Sequence, residues 1–313
     1  MPAKTGYSLC ERADTLQTHR ILCDNTGRLW IFYHNQTRSL SFGISDDCGN
    51  SWSEAFDLMA EISGPFSVFP DEKGGIHLAV RSFHPQDIHY LELSEAKGSH
   101  KLVHQAQENQ TTTYFPLIAK AQNCWHLVYG TRKYTTGAWA VVHLQQKPDD
   151  ALEISKFDLP DPSFPFNKEL IFLSESLYWS GDLAVDAVGC LHLVYRFFWQ
   201  DGYHLFYTSL PTGQSRWNPP ERLTIGEWCA GHPSLYSFQD GIYLFYRSST
   251  NKGQIVKQVF RTGNKWTTVS AIPINHNQQI LSEGLLSGSV KPTAYWVNQQ
   301  GCWLLPFGST EPD

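Results

Sequence analysis

The sequence predicts an all-β protein: a six-bladed β-propeller of four-stranded antiparallel blades, with the last blade completed by the N-terminal strand. Three observations predict this. A short pattern recurs six times along the chain. Each recurrence belongs to a unit of about 50 residues that reads as four strands. And only ten residues, Leu304–Asp313, follow the sixth anchor, too few for two more strands.

The pattern is a turn ending in Gly or Asn, then a strand of aromatic, His and β-branched residues. It reads GRLWIFYH from Gly27, GGIHLAVR from Gly74 and NCWHLVYG from Asn123, then GCLHLVYR from Gly189, DGIYLFYR from Asp240 and GCWLLPF from Gly301. Anchored on the second strand residue, it falls at Trp30, His77, His126, His192, Tyr243 and Trp303, with spacings of 47, 49, 66, 51 and 60 residues. Each anchor strand is the second of its unit. First strands are expected at Thr18–Asp24, Phe66–Phe69, Phe115–Ala119, Leu183–Asp186 and Pro233–Phe238. Period-2 third strands are expected at Leu40–Ile44, Ile88–Leu93, Trp139–Leu144, Tyr203–Thr208 and Ile255–Phe260, and fourth strands at Leu152–Phe157 and Thr267–Ala271. Helix signal is confined to a turn or two within 168–177 or 277–286. Tyr7–Glu11 has strand character and is the segment expected to close the ring, making 1–313 a single domain.

Composition agrees with a packed globule. Aromatic residues are 14% and charged residues 17%, with a net charge of −6 and no basic run, so a nucleic-acid partner is not expected. No stretch reaches the ~18 apolar residues of a membrane span, and MPAKTGYSLCERAD lacks the apolar core of a secretory signal. Seven cysteines, scattered without CxxC pairs, favour reduced thiols over disulfides or zinc. The expected location is therefore cytoplasmic. The sequons at Asn35 and Asn109 then carry no weight.

Between the third and fourth strands of the first unit stands SDDCGNSW, which places Ser45, Asp47, Gly49 and Trp52 in the pattern S-x-D-x-G-x-x-W. This resembles the Asp-box (BNR) repeat of sialidase-like β-propellers. Ser94 and Gly98 in the second unit, Gly263-Asn264-Lys265-Trp266 in the fifth and Thr212-Gly213 with Trp217 in the fourth keep fragments of it. The chemistry of the box is that of a turn. Asp accepts N–H bonds within its own loop, Gly permits positive φ, and Trp packs on the blade. Asp46 reads as a solvated neighbour and Cys48 as an inert thiol.

In antiparallel blades, third-to-fourth and first-to-second turns share one face of the disc. Second-to-third turns and inter-blade connections share the other. The box therefore marks its own face, and the resemblance implies a ligand site on the opposite one. Long connections at Pro160–Ser180, Thr224–Gly231 and Pro273–Val290 fall there. So do the second-strand ends His34, Arg81, Gly130, Arg196, Arg247 and Phe307, and the first-strand starts His19, Phe66, Tyr114, Trp179, His232 and Lys291. From these the candidate ligand-binding set is His19, Arg81, Tyr114, Trp179, Arg196, His232, Arg247 and Lys291, a positive, aromatic rim suited to an anionic glycan or other small anion. The alternative for the arginines is pairing with a neighbouring blade. His77, His126 and His192 are read as packing residues, with no metal and no cofactor expected.

The resemblance also implies, for a sialidase, an arginine triad, a Tyr–Glu pair and an Asp acid/base. This chain departs from it. Thr18-His19-Arg20-Ile21-Leu22 is a faint echo of the family's F/Y-R-I-P, and Arg20 is expected to turn away from the axis if His19 points inward. The sixth inner strand is expected to begin at Gly288-Ser289-Val290-Lys291, where the family carries its Tyr, with Tyr295 further along, and the second begins Gly64-Pro65-Phe66 without an Asp. The expectation is thus a glycan- or anion-binding propeller without sialidase activity and with no catalytic residue assigned. One alternative is a polysaccharide lyase using His19, His232 or Tyr114 as base against a carboxylate held by Arg81, Arg196 or Arg247. A glycoside hydrolase would use Glu227 or Glu283. A protein-interaction scaffold is the third class.

Overall fold

The computed structural model describes residues 20–306 except 25, 36, 48, 50, 72, 84–86, 95–96, 105–110, 134–137, 148–150, 160–178, 200–201, 239–240, 251–252, 274–281, 287–292 and 299–300. All regular structure among them is strand. Blade 1 holds β1 (Arg20–Cys23), β2 (Leu29–His34), β3 (Leu40–Ser45) and β4 (Phe56–Met59) in chain order. Blade 2 holds β5 (Ser67–Pro70), β6 (Ile76–Arg81), β7 (Ile88–Ser94) and β8 (Lys97–His104). Blade 3 holds β9 (Thr111–Ala121), β10 (Cys124–Lys133), β11 (Trp139–Gln146) and β12 (Leu152–Asp158). Blade 4 holds β13 (Trp179–Val185), β14 (Leu191–Trp199), β15 (Gly202–Leu210) and β16 (Glu221–Arg222). In blade 5 the innermost edge is shared by two short strands, β17 (Trp228–Cys229) and β18 (Ser234–Phe238). Both pair with β19 (Gly241–Thr250), which leads to β20 (Gly253–Thr262) and β21 (Lys265–Pro273). A last sheet holds β22 (Ser282–Leu286), β23 (Thr293–Asn298) and β24 (Gly301–Pro306).

The protein is therefore a β-propeller with five complete antiparallel blades rather than the six expected, because the last sheet has three strands. Tyr7–Glu11, the segment expected to complete it, lies outside the described residues, as do 168–177. Of the 277–286 segment, Ser282–Leu286 form strand β22 and 277–281 lie outside the described residues. The sixth unit is also offset from its expected register. β22 is its innermost strand and packs beside β1 and β18, so Thr293–Asn298 is the second strand and Trp303 sits on the third. The offset arises because the Gly301 turn looks like the anchor turns, whereas β23 begins 52 residues after β19 and better fits the repeat.

The anchor turn explains its own composition. Gly27, Gly74 and Gly189 have φ of 85, 85 and 83°, and in blade 3 Asn123 takes φ 62°. Gly and Asn are the residues for which this left-handed step costs least. Burial then follows the blade faces. Trp30, Phe32 and Leu22 of blade 1 meet Phe66, Leu78 and Val80 of blade 2. Ala79 and Ile88 meet Ile118 and Tyr129. Val128, Trp139 and Val141 meet Leu193, Tyr195 and Phe197. Val194 and Leu205 meet Leu235 and Leu244. Among the described residues the core is thus a series of layers between successive blades 1 to 5, and blades 2, 3 and 4 bury faces against both neighbours.

Candidate functional site

The turn at Ser45–Trp52 is a latch. Ser45 Oγ donates to Asp47 (2.8 Å) and accepts from Gly49 N–H (2.7 Å), while Asp47 also accepts from the Ser51 N–H and hydroxyl (2.8 and 2.6 Å). Gly49 stands at φ 88° and Trp52 is half-buried. Asp46 is exposed and bonds Arg28 at 2.6 Å. Cys48 lies outside the described residues. Both carboxylate oxygens of Asp47 thus accept within their own turn.

The first-to-second turns carry a second latch that recurs through the repeat. Asp24 accepts from the Thr26 and Arg28 N–H groups and from Trp30 Nε1. Asp71 does the same with Lys73, Gly75 and His77, and Asp186 with Val188, Cys190 and His192. With Nε2–H given to the carboxylate, Nδ1 of His77 and of His192 accepts the hydroxyl of Tyr90 and of Tyr207 (2.6 and 2.7 Å). In blade 3 His126 meets His143 at 3.0 Å, and burial depresses them to about 4 and about 3. The three anchor histidines are thus neutral packing residues.

Among the described residues, one group is spaced to share a cation: Asp186, Cys190 and His192. It is the same latch. Blade 2 builds it with Gly75 in place of the thiol, and blade 1 with Trp30 in place of the imidazole. Burial, and then Asp186, push the Cys190 thiol up to about 11, keeping it protonated. The arrangement does not need a metal.

At the axis the innermost strands are tied side chain to backbone. Ser67 Oγ accepts from Ile118 N–H (2.7 Å) of the next innermost strand, and Asp182 Oδ2 accepts from Leu235 N–H (2.8 Å). Ser67, Asp182 and Arg20 occupy one repeat position, each opposite the residue two beyond its anchor: Ala79, Val194 and Phe32. Arg20 therefore belongs to the ring; the expectation that it turns away held only for an inward His19, which lies outside the described residues. Its Cζ lies 5.8 Å from the centre of the Phe115 ring. Phe115, at φ 37° beside the register shift of β9 on β10, swings across to bring that ring 5.8 Å from the ring of His232. Blades 1, 3 and 5 thereby converge on one point.

Around it lie Arg196, Arg247 and Asp182. Burial, then Arg196, Arg20 and Arg247 in turn, push His232 well below its ordinary value, so the imidazole is neutral at physiological pH. Burial raises the Asp182 carboxyl from 3.8 to about 6, although Arg20 and the Leu235 and Leu183 N–H groups pull the other way. Ser180, opposite Arg196 on the paired strand, is fully buried. Arg20, Asp182, His232 and Arg247 are half-buried, which leaves each some access to solvent.

Other expected site residues fall elsewhere. Arg81 is 5% exposed and donates to Ser63 O, Ser63 Oγ and Thr113 O. It fastens the loop entering β5 and reaches blade 3, so its role is to hold blades together. Tyr114, 4% exposed, packs on Trp139 at 4.8 Å and sits under Arg81. His34 stacks on Phe66. The ring atoms and guanidinium of these residues are spent on packing. Arg247 shares part of this role, with its Nη2 3.3 Å from Ala230 O.

His19 and Lys291 lie outside the described residues, as does the side chain of Trp179, whose backbone opens β13. Lys291 falls in the connection between β22 and β23 and so does not open an innermost strand. Glu283 is on β22. Glu227 accepts from Tyr246 (2.9 Å), Ser248 (2.6 Å) and Lys257. Burial opposes ionisation, but Lys257 and the two hydroxyls outweigh it and hold Glu227 below its ordinary value. Such a carboxylate is a poor proton donor.

Arg20, Phe115 and Asp182 are the members of the axial cluster that the sequence reading missed. The available signal was position: Arg20, Ser67 and Asp182 each stand ten residues before an anchor.

With fold and cluster in place, the class is that of the β-propellers. No family model and no curated protein matches the chain. Solved structures do. The intramolecular trans-sialidase from Ruminococcus gnavus, in complex with oseltamivir carboxylate, superposes with a TM-score of 0.64 at 6% identity, covering 96% of each chain. The SapL1 lectin in complex with alpha methyl fucoside gives 0.61 at 7%, covering 96% of this chain and 97% of that one. A polysaccharide lyase, PL25 ulvan lyase, gives 0.60 at 12%, covering 94% and 79%. At these identities the likeness is one of fold.

Proposed function

We propose that the protein binds a carboxylate-bearing glycan at the axis, on the face away from Ser45–Trp52. The observation that carries this reading is the convergence of Arg20, Arg196 and Arg247 on His232 in a chain of net charge −6. Like charges gathered where water is scarce are stabilised by an anion, and guanidinium groups present donors in the geometry a carboxylate accepts. Neutral His232 adds a hydroxyl partner, and the Phe115 ring supplies an apolar floor. Binding propellers and glycan-active enzymes among the solved structures of this fold support a glycan as the ligand class.

The test is calorimetric titration with D-glucuronate, D-galacturonate and their neutral parent sugars. Acid sugars should bind and neutral ones should not, and Arg247→Ala should weaken binding about tenfold, the loss of one charge-assisted contact. Equal binding of acid and neutral sugars would refute the reading.

A second reading, a polysaccharide lyase, is favoured by one feature. His232 is a neutral imidazole among guanidinium groups, which suits abstraction of the proton α to a clamped uronate carboxylate. Appearance of the ultraviolet absorbance of an unsaturated uronate, lost in His232→Gln, is its signature. The absence of product with bound uronate leaves the binding reading alone.

A further inference from the structure

The connection Thr224–Gly231 adds β17 to blade 5, and Trp228 within it is 45% exposed. A large indole at the surface is ordinary if it is loose, but this one is fixed on three sides. Its backbone pairs with Ser249 on β19. The residue before it, Glu227, is tied to Tyr246, Ser248 and Lys257. And the ring lies against the hairpin tip of blade 4, where a Cβ on Gly202 would come within 2.5 Å of its Cδ1. Glycine at 202 is therefore what gives the Cδ1 and Nε1 atoms of the indole room against the hairpin backbone while the residue stays 45% exposed. A rigid aromatic face that loses no side-chain entropy on contact is well suited to the apolar face of a sugar ring.

Its position relates it to the axis. Ser249 lies two residues beyond Arg247 on β19, a rise of about 7 Å toward the rim. From Trp228 the chain runs through Cys229 and Ala230, whose carbonyl is bonded by Arg247, to His232. Those four peptide steps span at most about 14 Å, the reach of about two or three linked pyranose rings.

We infer that Trp228 is the stacking platform of a second sugar subsite, so that the protein recognises an acidic oligosaccharide with its carboxylate at Arg247 and the next ring but one or two on the indole. This rests on the axial reading above. Ile225, 85% exposed in the same loop, flanks the platform.

The test compares D-galacturonate with α-1,4-trigalacturonate, and D-glucuronate with a hyaluronan tetrasaccharide, by calorimetry. In the wild type the oligomer of at least one pair should bind about tenfold more tightly than its monomer. Trp228→Ala should abolish that gain and leave the monomer affinity unchanged, whereas Trp228→Phe should keep most of it. Thermal melting of each variant checks that the blade is intact. If Trp228→Ala binds the oligomer as tightly as the wild type, the subsite is refuted and the axial reading stands. If it weakens monomer and oligomer equally, Trp228 is a support for Arg247 and the subsite is likewise refuted. If the wild type binds neither, both readings fail together.

Discussion

Asp182→Asn separates the charge of the axial carboxylate from its shape. The wild-type carboxyl titrates at about 6 in the folded protein against 3.8 in the unfolded chain. Between those pH values the native state holds the extra proton, so this group makes stability fall as pH rises from about 4 to about 6 and contributes a constant deficit above that. The difference corresponds to about 3 kcal/mol at ~1.4 kcal/mol per tenfold step, and solvent access to this half-buried group lowers the expected figure to about 2. The asparagine keeps an acceptor for Leu235 N–H. Urea unfolding of both proteins from pH 4.5 to 8 should therefore show the variant gaining on the wild type by about 1.3 kcal/mol, the part of the ~2 kcal/mol that lies above pH 4.5, then running parallel. Carboxylates held below their ordinary values, such as Asp24, Asp71 and Glu227, give the opposite slope but cancel in the difference. Parallel profiles throughout, or a variant that loses ground as pH rises, would refute the placement of Asp182 in a desolvated site. Neutralising Asp182 also removes a negative charge from the arginine cluster, so galacturonate affinity should rise below pH 6 in the wild type and lack that step in the variant.

Three further outcomes follow from the geometry. Asp71→Ala removes the acceptor of two backbone N–H groups and His77 Nε2 and should cost about 2–3 kcal/mol in urea unfolding, with uronate affinity unchanged. Gly181→Ala places a Cβ 2.5 Å from Val194 O, a backbone atom with nowhere to go, and should cost at least about 2 kcal/mol, read as a lowered melting temperature. Zinc at equimolar concentration should leave the melting temperature within error, because the Asp186–Cys190–His192 group is already satisfied as a latch; a rise of several degrees would make it a metal site.

Much of the strand pattern was legible because one physical constraint repeats. A first-to-second hairpin needs a left-handed residue, which selects Gly or Asn, and the strand after it is buried on both faces, which selects β-branched and aromatic residues. That combination located blades 1 to 5. In the last unit the turn at Gly301 matched the same sequence rule, and anchoring on it shifted the assignment by one strand. The histidines at 77, 126 and 192 were readable as packing residues for the same reason, since a side chain repeated at one register position meets the same surroundings each time.

The axial cluster was less legible. Arg81, Arg196 and Arg247 share a repeat position, and sequence cannot tell which guanidinium is spent on a loop carbonyl. Ser63 and Thr113 claim Arg81 and Ala230 O takes one donor of Arg247, while the charges of Arg196 and Arg247 bear on His232. Arg20 was left out of the candidate set because its orientation was tied to that of His19, whereas its long side chain reaches the Phe115 ring. Phe115 depends on a left-handed φ and a register shift that nothing in its own residue type announces.

By itself, then, the sequence determined the all-β class, the blade repeat and the turn latches, because these are properties of residues near one another in the chain. Which groups meet at the centre was decided only by the tertiary structure. Arg20, Phe115, Asp182, Arg196, His232 and Arg247 come from different blades. Their proximity, and the titration of Asp182 and His232 that depends on it, exists only once the innermost strands gather around one axis.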